Sequence, residues 1–329
     1  MRTTPNHRLT SATVSGLLSL ALIASACGSD DSASSAADPT TDVADAVDES
    51  STDDTSNATT NDTTTDETTT DETSFGDTTV ETAGEAPADG SSCEEIAALF
   101  VTRGSANADL ADPEVSASCD GDDVVITSNG IPDYTYIETS PGSPAVADYT
   151  FTIPATPTIA DEVTDVPDLG TAAIALGGVP IYGPTEGTGG DVLSLEGALS
   201  ECGSHNGPTG FHIHQVLTSA DTDCLFTPEE AASGPQLIGY AFDGYPIYTG
   251  IDQYTSSWEL TDESLFATDT WAAHSYVEGL GDLDQCNGLT DADGNYAYYT
   301  TETFPYVIGC YAGVVDLDAA GAGGGGGRP

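Results

Sequence analysis

Three of the chain's five histidines stand within ten residues: His205, His212 and His214. His212 and His214 flank Ile213 in Gly210-Phe211-His212-Ile213-His214-Gln215. Residues two apart on a strand point to the same face, so a strand here aims both imidazoles at one point. His205 lies seven residues earlier, across Gly207-Pro208-Thr209-Gly210, a turn that can fold it back as a third group. Three neutral imidazoles suit Zn²⁺ or Cu²⁺ and suit Ca²⁺ poorly. The competing reading is a polar seam in which the pair bonds to backbone and aromatic rings. Asp243, in the turn Asp243-Gly244-Tyr245-Pro246, is a candidate fourth ligand by its place in the turn alone. His7 falls in the leader, and His274, alone in Trp271-Ala272-Ala273-His274-Ser275-Tyr276, reads as a packed or surface residue.

A histidine cluster needs a scaffold, and the surrounding sequence is rich in short strands. Val124–Thr127, Tyr149–Ile153, Ala172–Leu176, Val179–Tyr182 and Phe211–Val216 are apolar, β-branched or aromatic runs bounded by Gly, Pro, Asn and Asp. So are Leu237–Phe242, Tyr245–Tyr248, Tyr296–Tyr299 and Tyr306–Tyr311. One helix is expected over 93–102, opened by the capping box Ser92-Cys93-Glu94-Glu95. The expected fold is mainly β, a sandwich or barrel-like body with one short N-terminal helix.

The strands repeat. Gly178-Val179-Pro180-Ile181-Tyr182 returns as Gly244-Tyr245-Pro246-Ile247-Tyr248. Each is followed by a Cys (Cys202, Cys286), a Gly eight residues later, an aromatic strand and a second Cys (Cys224, Cys310). The copies span about 176–224 and 241–310 within one domain, 91–315, followed by a Gly-rich tail, 316–329. The repeat suggests equivalent disulfides Cys202–Cys224 and Cys286–Cys310, leaving Cys93–Cys119 to staple the helix. Zinc thiolate sites are the rival use of these cysteines, but no Cys-x-x-Cys occurs. Asp291-Ala292-Asp293-Gly294-Asn295 looks like a calcium loop without its distal Glu and reads as a hairpin turn.

Composition narrows the function. The 329 residues hold 55 Asp and Glu against 4 Lys and Arg, a formal net charge of −51. All four bases are Arg: Arg2, Arg8, Arg103 and Arg328. Phosphate binding needs clustered bases, so nucleic acid is excluded as a partner. With no Lys there is no Schiff-base chemistry and no phosphate-loop lysine. No serine elbow, dinucleotide fingerprint or His-Glu-x-x-His is present, so binding is favoured over catalysis.

Residues 1–27 read as an export signal: Arg2 and Arg8, an apolar stretch Val14–Ala24, then Ala24-Ser25-Ala26-Cys27. Small residues before Cys27 resemble a bacterial lipobox, with lipidation at Cys27 and a membrane anchor. Removing Cys27 from the seven cysteines leaves six to pair. Residues 28–90 carry eighteen Asp and Glu, no base and no apolar period, and read as a disordered tether.

The motifs together resemble the YHYH protein family. The matching stretches are Ser128-Asn129-Gly130-Ile131-Pro132-Asp133, the two Pro-Ile-Tyr segments with their flanks, Leu283-Asp284-Gln285-Cys286-Asn287-Gly288 and Phe304–Tyr311. The Tyr-His-Tyr-His signature is Phe211-His212-Ile213-His214 in the first copy and Tyr296-Ala297-Tyr298-Tyr299 in the second. The second copy has lost both His, and Tyr134 stands where members often place a His. The resemblance implies an exported, often lipid-anchored domain and brings no established reaction. A second, local similarity is to the copper-ligand strand of copper/zinc superoxide dismutase, without that enzyme's following turn or zinc loop.

Three functions follow as expectations. The first is an outward-facing envelope lipoprotein holding one copper or zinc ion. The second is a non-catalytic adhesion or scaffold domain meeting glycan or an envelope protein. The third is a metal-dependent hydrolase or oxidoreductase.

Overall fold

The computed structural model describes residues 92–140 and 142–321. The leader, Cys27, the tether and most of the Gly-rich tail lie outside the described residues.

In chain order the elements are α1 (Cys93–Leu99), β1 (Val115–Asp120), β2 (Asp123–Ser128), β3 (Tyr149–Pro154), β4 (Ile159–Asp165), β5 (Thr171–Ala175) and β6 (Pro180–Tyr182). Then come β7 (Ser204–Gly207), β8 (Gly210–Ile213), α2 (Pro228–Ser233), β9 (Leu237–Ala241) and β10 (Pro246–Tyr248). The last are β11 (Trp258–Leu260), α3 (Thr270–Ala273), β12 (His274–Tyr276), β13 (Gly288–Thr290), β14 (Tyr296–Tyr299) and β15 (Cys310–Gly313). The fold is mainly β, and α1 starts with the expected capping box between Ser92 and Glu95. Two further short helices, α2 and α3, were not expected. Thr227 and Glu230 form a second capping box at α2, a signal present in the sequence.

The central sheet has eight strands in the order β13-β14-β10-β9-β5-β6-β8-β7. Read from its middle, each half shows the same pattern. An antiparallel hairpin (β5–β6, β9–β10) pairs in parallel with the next strand (β8, β14), which pairs antiparallel with an edge strand (β7, β13). The halves join through β5 and β9, where Ile174 faces Tyr240 across the antiparallel pair. These two residues hold the same place in their copies, so a pseudo-twofold axis passes between them. The repeat therefore begins at β5 and β9, upstream of its expected starts at 176 and 241. Joining the copies at this seam sends β7 and β13 to opposite edges. The sheet is open, and the barrel form of the expected body is not adopted.

β5 and β9 are buried at every residue, as continuous apolar runs inside a sheet should be. A three-stranded sheet, β1-β2-β3, alternates inward and outward residues, with Val124, Ile126, Phe151 and Ile153 buried. Phe151 stacks on Phe242, centroids 5.6 Å apart, and α1 adds Ile96 and Phe100 to the same core. The strand expected over Tyr306–Tyr311 forms only as β15, paired with β4. Tyr306 instead turns (φ 67°) and sends its hydroxyl into the buried Asp191.

The three disulfides are Cys93–Cys119, Cys202–Cys224 and Cys286–Cys310, with sequence separations of 26, 22 and 24. Each contributes ~3 kcal/mol through loss of unfolded-chain entropy. The last two sit at equivalent places, each beginning two residues before an edge strand.

Candidate metal centre

His205, His212 and His214 converge, all three buried. The β7–β8 hairpin does most of this. Its register sets His205 directly opposite His212. Cross-strand partners of this kind lie within side-chain reach. His214 follows β8 on the same face as His212. At the turn, a Cβ on Gly207 would lie 2.8 Å from Cε1 of His212, so the glycine makes room for the ring. Tyr182 of β6 stacks on His212 from the neighbouring strand, centroids 3.9 Å apart.

The Nε2 atoms are the converging ones. His212 Nε2 lies 2.9 Å from His205 Nε2 and 3.0 Å from His214 Nε2. The other ring nitrogens face backbone. His212 Nδ1 is 2.9 Å from the Gly210 carbonyl, and His214 Nδ1 is 2.6 Å from the Gly183 carbonyl. His205 bonds to the backbone of Ala198. A carbonyl only accepts, so Nδ1 of His212 and of His214 carries the proton and Nε2 presents a lone pair. Burial keeps the rings neutral. It lowers the pKa of His205, holds that of His212 well below the usual value, and pushes that of His214 down to about 3. Around His212, the charges its neighbours would carry push in the same direction.

Sequence reasoning missed a fourth group. Glu186 Oε2 lies 3.5 Å from His205 Nε2 and 4.0 Å from His214 Nε2. This buried oxygen has no hydrogen-bond partner. The fold brings it there because β6 runs parallel to β8, with Ile181 paired to Ile213. The chain leaving β6 thus passes the end of β8, where His214 sits. No local pattern in Thr185-Glu186-Gly187-Thr188-Gly189-Gly190 announces this.

Asp243 lies elsewhere. It is fully buried, and its carboxylate accepts from the Tyr298 hydroxyl and from the backbone N–H groups of Gly313 and Tyr245. Burial raises its pKa to about 6 against these hydrogen bonds. It is a packing residue of the second copy and is not among the converging groups, which corrects its expected role as a ligand. His274 is buried, stacked on Phe304 with centroids 4.0 Å apart, and bonded to Thr270. Asp291 closes its own hairpin by accepting from Asp293 N, Asn295 N and Asn295 Nδ2. Arg103, the one base among the described residues, holds the carbonyls of Asp133, Cys224 and Leu225.

Fold and site together define a disulfide-stapled β domain of extracellular type, built from two copies of one unit, with a buried histidine triad in the first. A family model described as YHYH protein matches residues 150–313, and the chain belongs to that family. No curated protein and no solved structure matches it.

Proposed function

We propose that this domain binds one transition-metal ion, copper or zinc, through Nε2 of His205, His212 and His214. The convergence of acceptor lone pairs carries the reading. His212 and His214 commit their protons to carbonyls, so neither Nε2 can donate to the other across 3.0 Å. Lone pairs at that distance repel unless a cation lies between them. Imidazole ligands about 2.0–2.1 Å from a tetrahedral ion are separated by about 3.3 Å, close to what is seen here. The backbone carbonyls on Nδ1 are the outer contacts that fix ring orientation in such centres.

The chain acts as an exported protein, anchored at Cys27 and facing outward, with residues 28–90 lifting the domain from the membrane. The leader and the three disulfides, which persist in oxidising compartments, support this setting. A ligand that binds only the folded state stabilises it. Adding Zn²⁺ or Cu²⁺ to the chelator-treated chain should therefore raise its melting temperature, with Ca²⁺ and Mg²⁺ ineffective. Equal responses to all four ions would reject the site. For the anchor, the expected result is release of the Cys27→Ser chain from the membrane fraction. If that variant stays with the membrane, lipidation at Cys27 is wrong.

A further inference from the structure

We infer that Glu186 is the fourth ligand of this centre, closing a His₃Glu shell that selects a divalent ion and leaves no coordination position for substrate. This rests on the metal reading and goes further, because an open fourth position is what separates a catalytic zinc-type site from a holding one.

The first support is that Glu186 brings a charge where the site lacks one. Three neutral imidazoles hold a divalent ion at +2 in a buried place, and a carboxylate brings the centre to +1. Glu186 Oε2 is buried without a hydrogen-bond donor, which is costly for an anionic oxygen. It faces the same point as the histidine lone pairs, 3.5 and 4.0 Å from two of them. The carboxylate oxygen thus meets the lone pairs that His212 and His214 present, beside Nε2 of His205.

The second support is that the carboxylate is held in place. Its Oε1 accepts from Gly187 N at 2.9 Å, which turns Oε2 inward. The loop is closed by Glu186 N to Gly190 O (2.8 Å) and Gly189 N to Glu186 O (2.7 Å). Thr270 N bonds to Gly189 O, and Gly190 lies so close to Ala267 that a Cβ has no room. The loop is seated on the 267–270 segment and carries Glu186 to a fixed point.

The donor set decides the ion. Imidazole and carboxylate suit Cu²⁺ and Zn²⁺, whereas Cu⁺ seeks thiolate or thioether. The chain has one Met, Met1, and all six Cys of the domain are in disulfides, so none of the four converging groups is sulfur.

The test uses the full chain, purified without a histidine tag, in wild-type, Glu186→Gln and His212→Ala forms. Gln keeps the size of Glu and the acceptor for Gly187 N. Affinities for Zn²⁺ and Cu²⁺ come from competition with a chelator. Coordinated water is read on the Cu²⁺ form by pulsed electron paramagnetic resonance in D₂O. The wild type should show nitrogen couplings and no coordinated water. Glu186→Gln should keep the nitrogen couplings, gain a water signal and bind about ten- to a hundredfold more weakly. His212→Ala should lose the ion. If Glu186→Gln binds as tightly as the wild type, and the wild type already carries a water, Glu186 is not a ligand although the metal reading stands. If the wild type takes up neither ion, the metal reading fails and this inference fails with it.

Discussion

The two copies of the repeat share a scaffold and differ in what they hold. Both have the Pro-Ile-Tyr strand, the parallel crossing and the disulfide before the edge strand. At the positions of His205, His212 and His214, the second copy has Leu289, Ala297 and Tyr299. Tyr182 stacks on His212 in the first copy, whereas Tyr248 stacks on Tyr299 in the second, centroids 5.8 Å apart. Counting on from those tyrosines, Glu186 corresponds to Asp252, which is exposed. Gly207, cleared for the His212 ring, corresponds to Asp291, since Ala297 has no ring to accommodate. The second copy has its own buried polar centre: Asp243 accepts the Tyr298 hydroxyl where the first copy has the apolar Ile213. One unit thus supports either a histidine cluster or a tyrosine–aspartate packing centre, and a few side chains decide which.

The largest expected effect falls on the packing centre. Asp243→Ala leaves the Tyr298 hydroxyl and Gly313 N without their acceptor in a fully buried place. Stability should drop by ~3–5 kcal/mol in denaturant unfolding, with metal uptake per folded chain unchanged. Loss of metal from the folded fraction would return Asp243 to the metal site.

The copies should also titrate in opposite directions in the metal-free protein. The folded pKa values of His212 and His214 lie below the unfolded 6.5, so the unfolded chain binds more protons in that window. Their contribution is complete above about pH 6.5 and is lost as pH falls toward 3. Asp243, raised from 3.8 to about 6, acts the other way: its contribution is greatest below about 3.8 and is lost as pH rises through about 6. Urea midpoints across this range should show most of the acid loss disappearing in His212→Ala/His214→Ala. An unchanged acid profile in that variant would mean that the triad does not carry the effect.

The smallest effect is at the turn. In Gly207→Ala the new Cβ meets the His212 ring, displacing Nε2 from the other two. Affinity for Zn²⁺ should fall about tenfold and stability by about 1 kcal/mol. A variant that binds as the wild type does would show that ring placement tolerates the shift.

Much of the scaffold was legible. The same order of motifs in the two copies, with a Gly eight residues after each first Cys, pointed to Cys202–Cys224 and Cys286–Cys310, and an i, i+2 pair beside a short turn brought three histidines together. The edge strands were not legible: Ser204–Gly207 is polar, and Ile159–Asp165 mixes three acids with apolar residues that do not alternate regularly or bury. Glu186 was hidden because a parallel strand pair places it, a non-local event without a local signature. Asp243 was misassigned because its place in a motif says nothing about which partner its carboxylate meets, and that partner, Tyr298, lies 55 residues on.

The most direct measurement is elemental analysis of the full chain, exported through an oxidising compartment and purified without a histidine tag, beside its His212→Ala/His214→Ala variant. One copper or zinc per wild-type chain, absent from a variant that still melts cooperatively, is the predicted result. A wild-type chain that melts cooperatively, contains neither metal and takes up neither when offered would contradict the account.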